Sequence, residues 1–242
     1  MEAIRIENLT KRYKDVTAVD NLNLSILKGE LFSLLGVNGA GKTTTIKMLS
    51  CLTCADEGDA FLNGKSICES PDEVKEILAL SPQETAVAPG LSVLENLELI
   101  CGVYSLSKEK TRERIEELTE VLGLGGVKNK KAGKLSGGWQ RKLSIAMALV
   151  SEPQILFLDE PTLGLDVISR RELWDFIRSL KGRVTIVLTT HYMEEAEALS
   201  DRIGIMKNGK LLVCDTADNI KKLAQTTDFE EAFIRIVKGE VR

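Results

Sequence analysis

Leu31-Phe32-Ser33-Leu34-Leu35, Gly36-Val37-Asn38-Gly39-Ala40-Gly41-Lys42-Thr43-Thr44 and Thr45-Ile46-Lys47-Met48-Leu49 follow one another without a break, and their order decides the fold. The first run is apolar enough for a strand and the last has the spacing of a helix. The glycine-rich turn between them matches G-x-x-x-x-G-K-[ST]. Glycines let the backbone turn its N–H groups inward as a nest, and the unpaired N–H groups at the helix start add the positive end of a dipole. Lys42 supplies a point charge for β- and γ-phosphates, and the Thr43 hydroxyl is suited to Mg²⁺. The stretch reads as a loop for nucleotide phosphates, made by Gly36, Asn38, Gly39, Ala40, Gly41, Lys42, Thr43 and Thr44.

Three more strand ends and one turn carry chemistry. Ile155-Leu156-Phe157-Leu158-Asp159-Glu160 is an apolar run ending in two carboxylates, the pattern of a parallel strand covered on both faces. Ligand chemistry collects at the carboxyl ends of such strands. Asp159 suits Mg²⁺ held through its water shell, and Glu160 suits the polarisation of an attacking water. Val184 to Thr190 is a second buried strand and ends at His191, the one histidine of the chain and a candidate for the γ-phosphate. Ile77 to Leu80 is a shorter strand closed by Ser81-Pro82-Gln83, where Gln83 reads either as a Mg²⁺ or water contact or as plain loop polarity. Leu135-Ser136-Gly137-Gly138-Trp139-Gln140 is a second anion-binding design: Ser136 is an N-cap residue, and Gly137 and Gly138 leave N–H groups unshielded before an apolar helix. A second such turn beside one phosphate loop makes sense if it serves another subunit's phosphate.

Around these lies an α/β chain of 242 residues, 43% hydrophobic and 28% charged, enough for one large domain. Its net charge of −4 argues against a broad nucleic-acid face. No run reaches the ~18 apolar residues of a membrane span. Met1-Glu2-Ala3-Ile4-Arg5 opens no signal peptide, so a cytosolic chain is expected, with any membrane role exerted through a partner. Five cysteines include Cys51-Leu-Thr-Cys54, with no second close pair to complete a metal site. Ile4 to Ile6 and Leu22 to Ile26 alternate as half-buried antiparallel strands, with Tyr13 between them as a sheet-edge cap or a face for adenine. Ser92-Val93-Leu94-Glu95 is a capping box opening a helix to about Tyr104, and a charged helix follows from about Lys108 to Leu122. The predicted fold is a phosphate-loop NTPase core with a mixed, largely parallel sheet, an N-terminal antiparallel β-subdomain and an inserted α-helical subdomain. Core and β-subdomain take 1–83 and 151–215, the helical insert about 84–150, and C-terminal helices 216–242, all within a single nucleotide-binding domain. The loop Thr85 to Leu91, less polar than an exposed loop usually is, reads as a buried connection or a docking surface.

Phosphate loop, Gln83, Leu-Ser-Gly-Gly at Leu135–Gly138, apolar strand with Asp159-Glu160, Gly164-Leu165-Asp166 and His191, in that order, resemble the ATP-binding cassette ATPases over essentially the whole chain. The resemblance implies ATP and Mg²⁺, adenine stacking by Tyr13, and Mg²⁺ contact with interdomain coupling by Gln83. It also implies a γ-phosphate switch at His191 and a dimer-contacting loop at Asp166. Thr189-Thr190-His191-Tyr192-Met193-Glu194-Glu195-Ala196-Glu197 and Phe229-Glu230-Glu231-Ala232-Phe233 look like the drug- and polysaccharide-exporter branch, whose permeases are separate chains. The implied function is ATP hydrolysis powering export through a separate transmembrane permease, at the inner face of the cell membrane. The implied working unit is a homodimer or paralogue dimer with each ATP between Lys42 of one subunit and Ser136-Gly137-Gly138 of the other. No nucleic acid is expected as a partner. The alternative is a non-transport ABC ATPase acting on the ribosome or DNA, which usually carries two tandem cassettes or a long coiled-coil insertion. A GTP switch is disfavoured because Asn129-Lys130-Lys131-Ala132 lacks the aspartate of the guanine motif. Val37, Trp139 and Val167 stand where the family commonly has Pro, Gln and Pro.

Overall fold

The computed structural model describes residues 1–241. A long hairpin opens the chain, β1 (Glu2–Tyr13) and β2 (Val16–Leu27), followed by β3 (Leu31–Leu35) and α1 (Lys42–Leu49). β4 (Glu57–Leu62) and β5 (Lys65–Ser66) return to the hairpin before α2 (Pro71–Lys75) and β6 (Leu78–Ser81). Three helices come next, α3 (Val93–Val103), α4 (Lys108–Val121) and α5 (Gly137–Leu149). Strand and helix then alternate through β7 (Ile155–Asp159), α6 (Val167–Ser179), β8 (Thr185–Thr190), α7 (Met193–Leu199) and β9 (Arg202–Lys207). β10 (Lys210–Asp215), α8 (Ala217–Leu223) and α9 (Phe229–Lys238) complete the described chain.

Two sheets result. One is antiparallel, in the order β2-β1-β4-β5; the other runs β10-β9-β3-β8-β7-β6, parallel throughout except for β10 at its edge. The hairpin strands reach far beyond the short alternating stretches visible in the sequence. Register shifts after Ile6, Leu9 and Lys11 break the two-residue period there, so the alternation cannot be read through. In the parallel sheet the apolar runs are buried on both faces. Ile155 and Phe157 of β7 pack toward the antiparallel sheet, whereas Leu156 and Leu158 pack toward the helical segment around α3 to α5. β3 and β8 divide the same way, with Phe32, Leu34 and Val187 on one side and Leu31, Ile186 and Leu188 on the other. Helices α8 and α9 cover the β9 side through Ile220, Phe229, Phe233 and Ile236. No helix among the described residues is long and apolar enough to cross a membrane.

Local chemistry sets the helix ends. Ser92 forms both halves of the capping box with Glu95. α6 begins at Val167 because the Asp166 carboxylate caps it by accepting from Ile168 and Ser169 N–H. One turn into α3, the fully buried Asn96 ties down the loop ahead of the helix. Its Oδ1 accepts from Ala88 N–H at 2.8 Å, and its Nδ2 donates to Ala88 and Ser92 carbonyls at 3.1 and 2.8 Å.

Glu195, in the first turn of α7, is buried completely. Its Oε1 accepts from Trp174 Nε1 of α6 at 3.0 Å, and its Oε2 has no hydrogen-bond partner among the described residues. Burial outweighs this bond and raises the carboxyl above its ordinary range. The folded chain therefore keeps a proton that the unfolded chain releases, and the stability this group contributes falls as pH rises from about 4.3 through the raised folded value.

Two outcomes follow from these buried polar groups. Asn96→Ala strands the Ala88 N–H and is expected to cost about 1–3 kcal/mol in urea unfolding, with faster amide exchange confined to the loop before α3. Glu195→Gln keeps the acceptor for Trp174 without a charge to bury. It should match or exceed the parent's stability at pH 7, with any advantage gone below about pH 4; a parent that gains on the variant as pH rises from about 4 to 7 contradicts the assignment.

Candidate nucleotide site

The parallel register brings three strand ends level. Leu35 pairs with Thr190, and Thr189 pairs with Asp159, so the loops carrying Gly36, His191 and Glu160 leave the sheet side by side. Gly36 and Gly41 are where the loop needs glycine. A Cβ on Gly36 would lie 2.5 Å from the Met206 carbonyl oxygen; one on Gly41, at φ 106°, would lie 2.4 Å from that of Ala18. Thr45 N–H donates to Gly41 O as the first bond of α1, so the N–H groups of the residues just before it have no helical partner. They border a cavity of about 780 Å³ floored by Asn38 to Thr44, with Gln83, Glu160 and His191 on its walls.

The charged groups converge on that floor. Lys42 is buried, and its Nζ donates to Gly36 O at 2.8 Å and Val37 O at 3.3 Å while standing 3.5 Å from Glu160 Oε1. Burial lowers the lysine from its ordinary range, and Glu160 pulls in the opposite direction. The other carboxylate oxygen of Glu160 is 2.7 Å from His191 Nδ1. Glu160 has φ 47°, a left-handed conformation that costs a non-glycine residue about 1–3 kcal/mol and gathers at functional sites. Its N–H donates to both the carbonyl and the hydroxyl oxygen of Thr189, which hold the strained turn. Asp159 sits behind, accepting from Thr43 Oγ1 at 3.2 Å and from Thr189 Oγ1.

That donor set fits Mg²⁺. The Thr43 hydroxyl meets the Asp159 carboxylate at the cavity, Gln83 lines the same cavity, and hard oxygen donors are what the ion prefers. No group of three or more His, Cys, Asp or Glu side chains suited to a metal occurs among the described residues, Cys51 and Cys54 included.

Other residues singled out in the sequence stand apart from the cavity walls. Tyr13 ends β1, half exposed, with the Lys11 ammonium 5.4 Å from its ring centre. The wall beyond the hairpin turn is made by Val16, Thr17 and Ala18. Ser136 occupies the N-cap of α5, as read, yet its hydroxyl makes no cap bond, which leaves it and the exposed Gly137 facing outward. Gly138 is buried against α6, where a Cβ would approach Ser169 Cβ to 2.9 Å. The Ser169 hydroxyl donates to Asp166, so the signature turn and the Asp166 cap touch. Trp139 is half-buried beside them, with Lys142 Nζ 4.7 Å above its ring and paired to Glu172 at 2.9 Å.

The sequence reading missed Val16, Thr17, Ala18, Leu163 and Asn208 of the cavity wall. For Asn208 a signal existed: Asn208-Gly209 is the hairpin dipeptide between β9 and β10, with φ 48° and 79°. Gly209 N–H donates to Ala40 O, which fastens that turn to the phosphate loop.

Comparison with known proteins gives this geometry a family. The ABC transporter family model matches residues 19–163. Daunorubicin resistance ATP-binding protein DrrA2 of Streptomyces coeruleorubidus is 40% identical over 222 residues, 91% of this chain and 69% of that protein. The probable multidrug ABC transporter ATP-binding protein YbhF of Escherichia coli (strain K12) is 38% identical over 97% of this chain. This chain spans 41% of the length of YbhF, and 13% of the human phospholipid-transporting ATPase ABCA3, to which it is 41% identical. Among solved structures, the dimeric post-hydrolysis state of the ATP-binding cassette MJ0796, bound to ADP and Pi, superposes with a TM-score of 0.78 at 30% identity, covering 88% of this chain and 98% of that one. With its phosphate loop, Glu160 and His191 gathered on one cavity, the chain belongs to the ABC transporter family.

Proposed function

We propose that this chain powers export through a separate transmembrane permease, working at the inner face of the cell membrane as a head-to-tail dimer closed by ATP. The observation that carries the reading is the contact of Glu160 with both Lys42 and His191 at the floor of the cavity. Lys42 and the free N–H groups of the loop bind the β- and γ-phosphates. Glu160 orients and polarises the attacking water, and His191 holds that carboxylate and meets the γ-phosphate. Thr43, Asp159 and Gln83 would hold Mg²⁺, which would supply charge neutralisation at the phosphates. Ser136, Gly137 and Gly138 stand away from their own cavity and serve the ATP of the second copy, with Asp166 at the same face. The multidrug-transporter and drug-resistance names among the relatives support transport over action on a ribosome or DNA.

ATP drives closure to the extent that it binds the closed state better, and hydrolysis reverses it. Glu160→Gln keeps the side chain's shape but removes its charge. Nucleotide binding should persist while hydrolysis falls by ~10²–10⁴, the usual weight of general acid–base help. Light scattering should then find the variant dimeric with Mg-ATP and monomeric with ADP; normal turnover would reject the catalytic assignment.

Tyr13 is assigned to adenine, at the hairpin that also supplies Val16 to Ala18 to the cavity. Tyr13→Ala should weaken ATP binding by ~1–3 kcal/mol in calorimetry, and Tyr13→Phe should change it little. Equal losses from the two changes would move the role from the ring face to the hydroxyl.

A further inference from the structure

Arg141, in the second turn of α5, is buried to 4% exposure without a contact ion pair among the described residues. Its Nη1 donates to Pro82 O at 2.6 Å and its Nη2 to Gln83 O at 2.5 Å. Asp159 and Glu195 balance the charge only from a distance, and burial pushes the guanidinium below its ordinary range. One turn farther along, Ser144 Oγ meets Ser81 Oγ at 3.1 Å, so helix and strand end are joined at two successive points. One turn earlier, Gly138 rests on Ser169, beside the Asp166 cap.

The planar fork of an arginine fixes direction as well as distance, and here both arms are used on neighbouring carbonyls of one loop. Sliding the loop past the helix would break both bonds and leave a buried charge without partners, which is costlier than moving the two together. Gln83 lines the cavity of its own chain, whereas Ser136 and Gly137 at the start of the same helix face outward.

We propose that Arg141 is a positioning residue that couples the two nucleotide sites of the dimer, carrying a displacement of Gln83 in one cavity to the signature turn that closes over the other. The inference rests on the sandwich dimer proposed above. It concerns communication between sites rather than nucleotide affinity within one, and that separation makes it measurable.

The test uses the full chain and Mg-ATP. Arg141→Lys keeps the charge but replaces the fork by a point donor, and Arg141→Gln removes the charge; melting curves establish which variants fold. In the parent, ATPase rate against ATP concentration is expected to be sigmoidal. In Arg141→Lys the Hill coefficient should fall to about 1, while ADP affinity stays within about twofold of the parent. In a Glu160→Gln background the same change should raise the ATP concentration needed for half-dimerisation by about tenfold, within the usual range of coupling between sites. Ser144→Ala loosens the same helix–strand contact without touching the Gln83 loop. It should lower the melting temperature and leave the Hill coefficient alone, which a merely structural role for Arg141 would not distinguish. Cooperativity and half-dimerisation unchanged in Arg141→Lys overturn the inference. A Glu160→Gln parent that stays monomeric at saturating ATP overturns the sandwich dimer itself, and the coupling with it.

Discussion

Parallel pairing of β3, β8 and β7 is the constraint on which the site depends. Because Leu35 meets Thr190 and Thr189 meets Asp159, three loops that are far apart in sequence begin at one level of the sheet. Hydrogen bonding in a parallel ladder is evenly spaced, so a slip of one residue in any of the three would turn every apolar side chain of that strand to the wrong face. The burial of Ile155 and Phe157 on one side and of Leu156 and Leu158 on the other thus locks the distance between lysine, glutamate and histidine. Core packing here is also site geometry.

Within that frame the cavity floor holds opposed charges at close range. Lys42 and Glu160 are both nearly inaccessible to water, and each is held by further contacts: backbone carbonyls for the lysine, His191 for the glutamate. A buried pair of this kind contributes little to stability against apolar substitutes, but it resists losing one member. The left-handed backbone at Glu160 adds local strain that Thr189 restrains through two bonds from a single residue. Burial and strain at one position are typical of a group positioned for chemistry rather than for folding.

Much of this was legible in the chain. The phosphate loop announces itself because its physics is local: a strand, a glycine turn and a helix start within nineteen consecutive residues, Leu31 to Leu49. The ends of apolar runs placed Glu160 and His191 for the same reason. The hairpin strands were read too short because bulges interrupt their period. Arg141 and Glu195 could not be assigned at all. An arginine in a helix and a glutamate among glutamates look like solvated charges until the fold carries Pro82 and Gln83 to one and Trp174 to the other.

The aromatic side chain beside the signature glycines gives the molecule its own optical probe. The chain holds two tryptophans. Trp174 lies deep, its indole N–H committed to Glu195, so its emission follows the integrity of the α6–α7 packing. Trp139 is half in water, with an ammonium over its ring, at the turn that another subunit's phosphate would approach. A negative charge arriving there would draw on the same lysine and shift the field at the indole. In the dimer proposed above, the two fluorophores would separate unfolding from closure in an unlabelled protein, the first by loss of a buried environment and the second by a change of local charge.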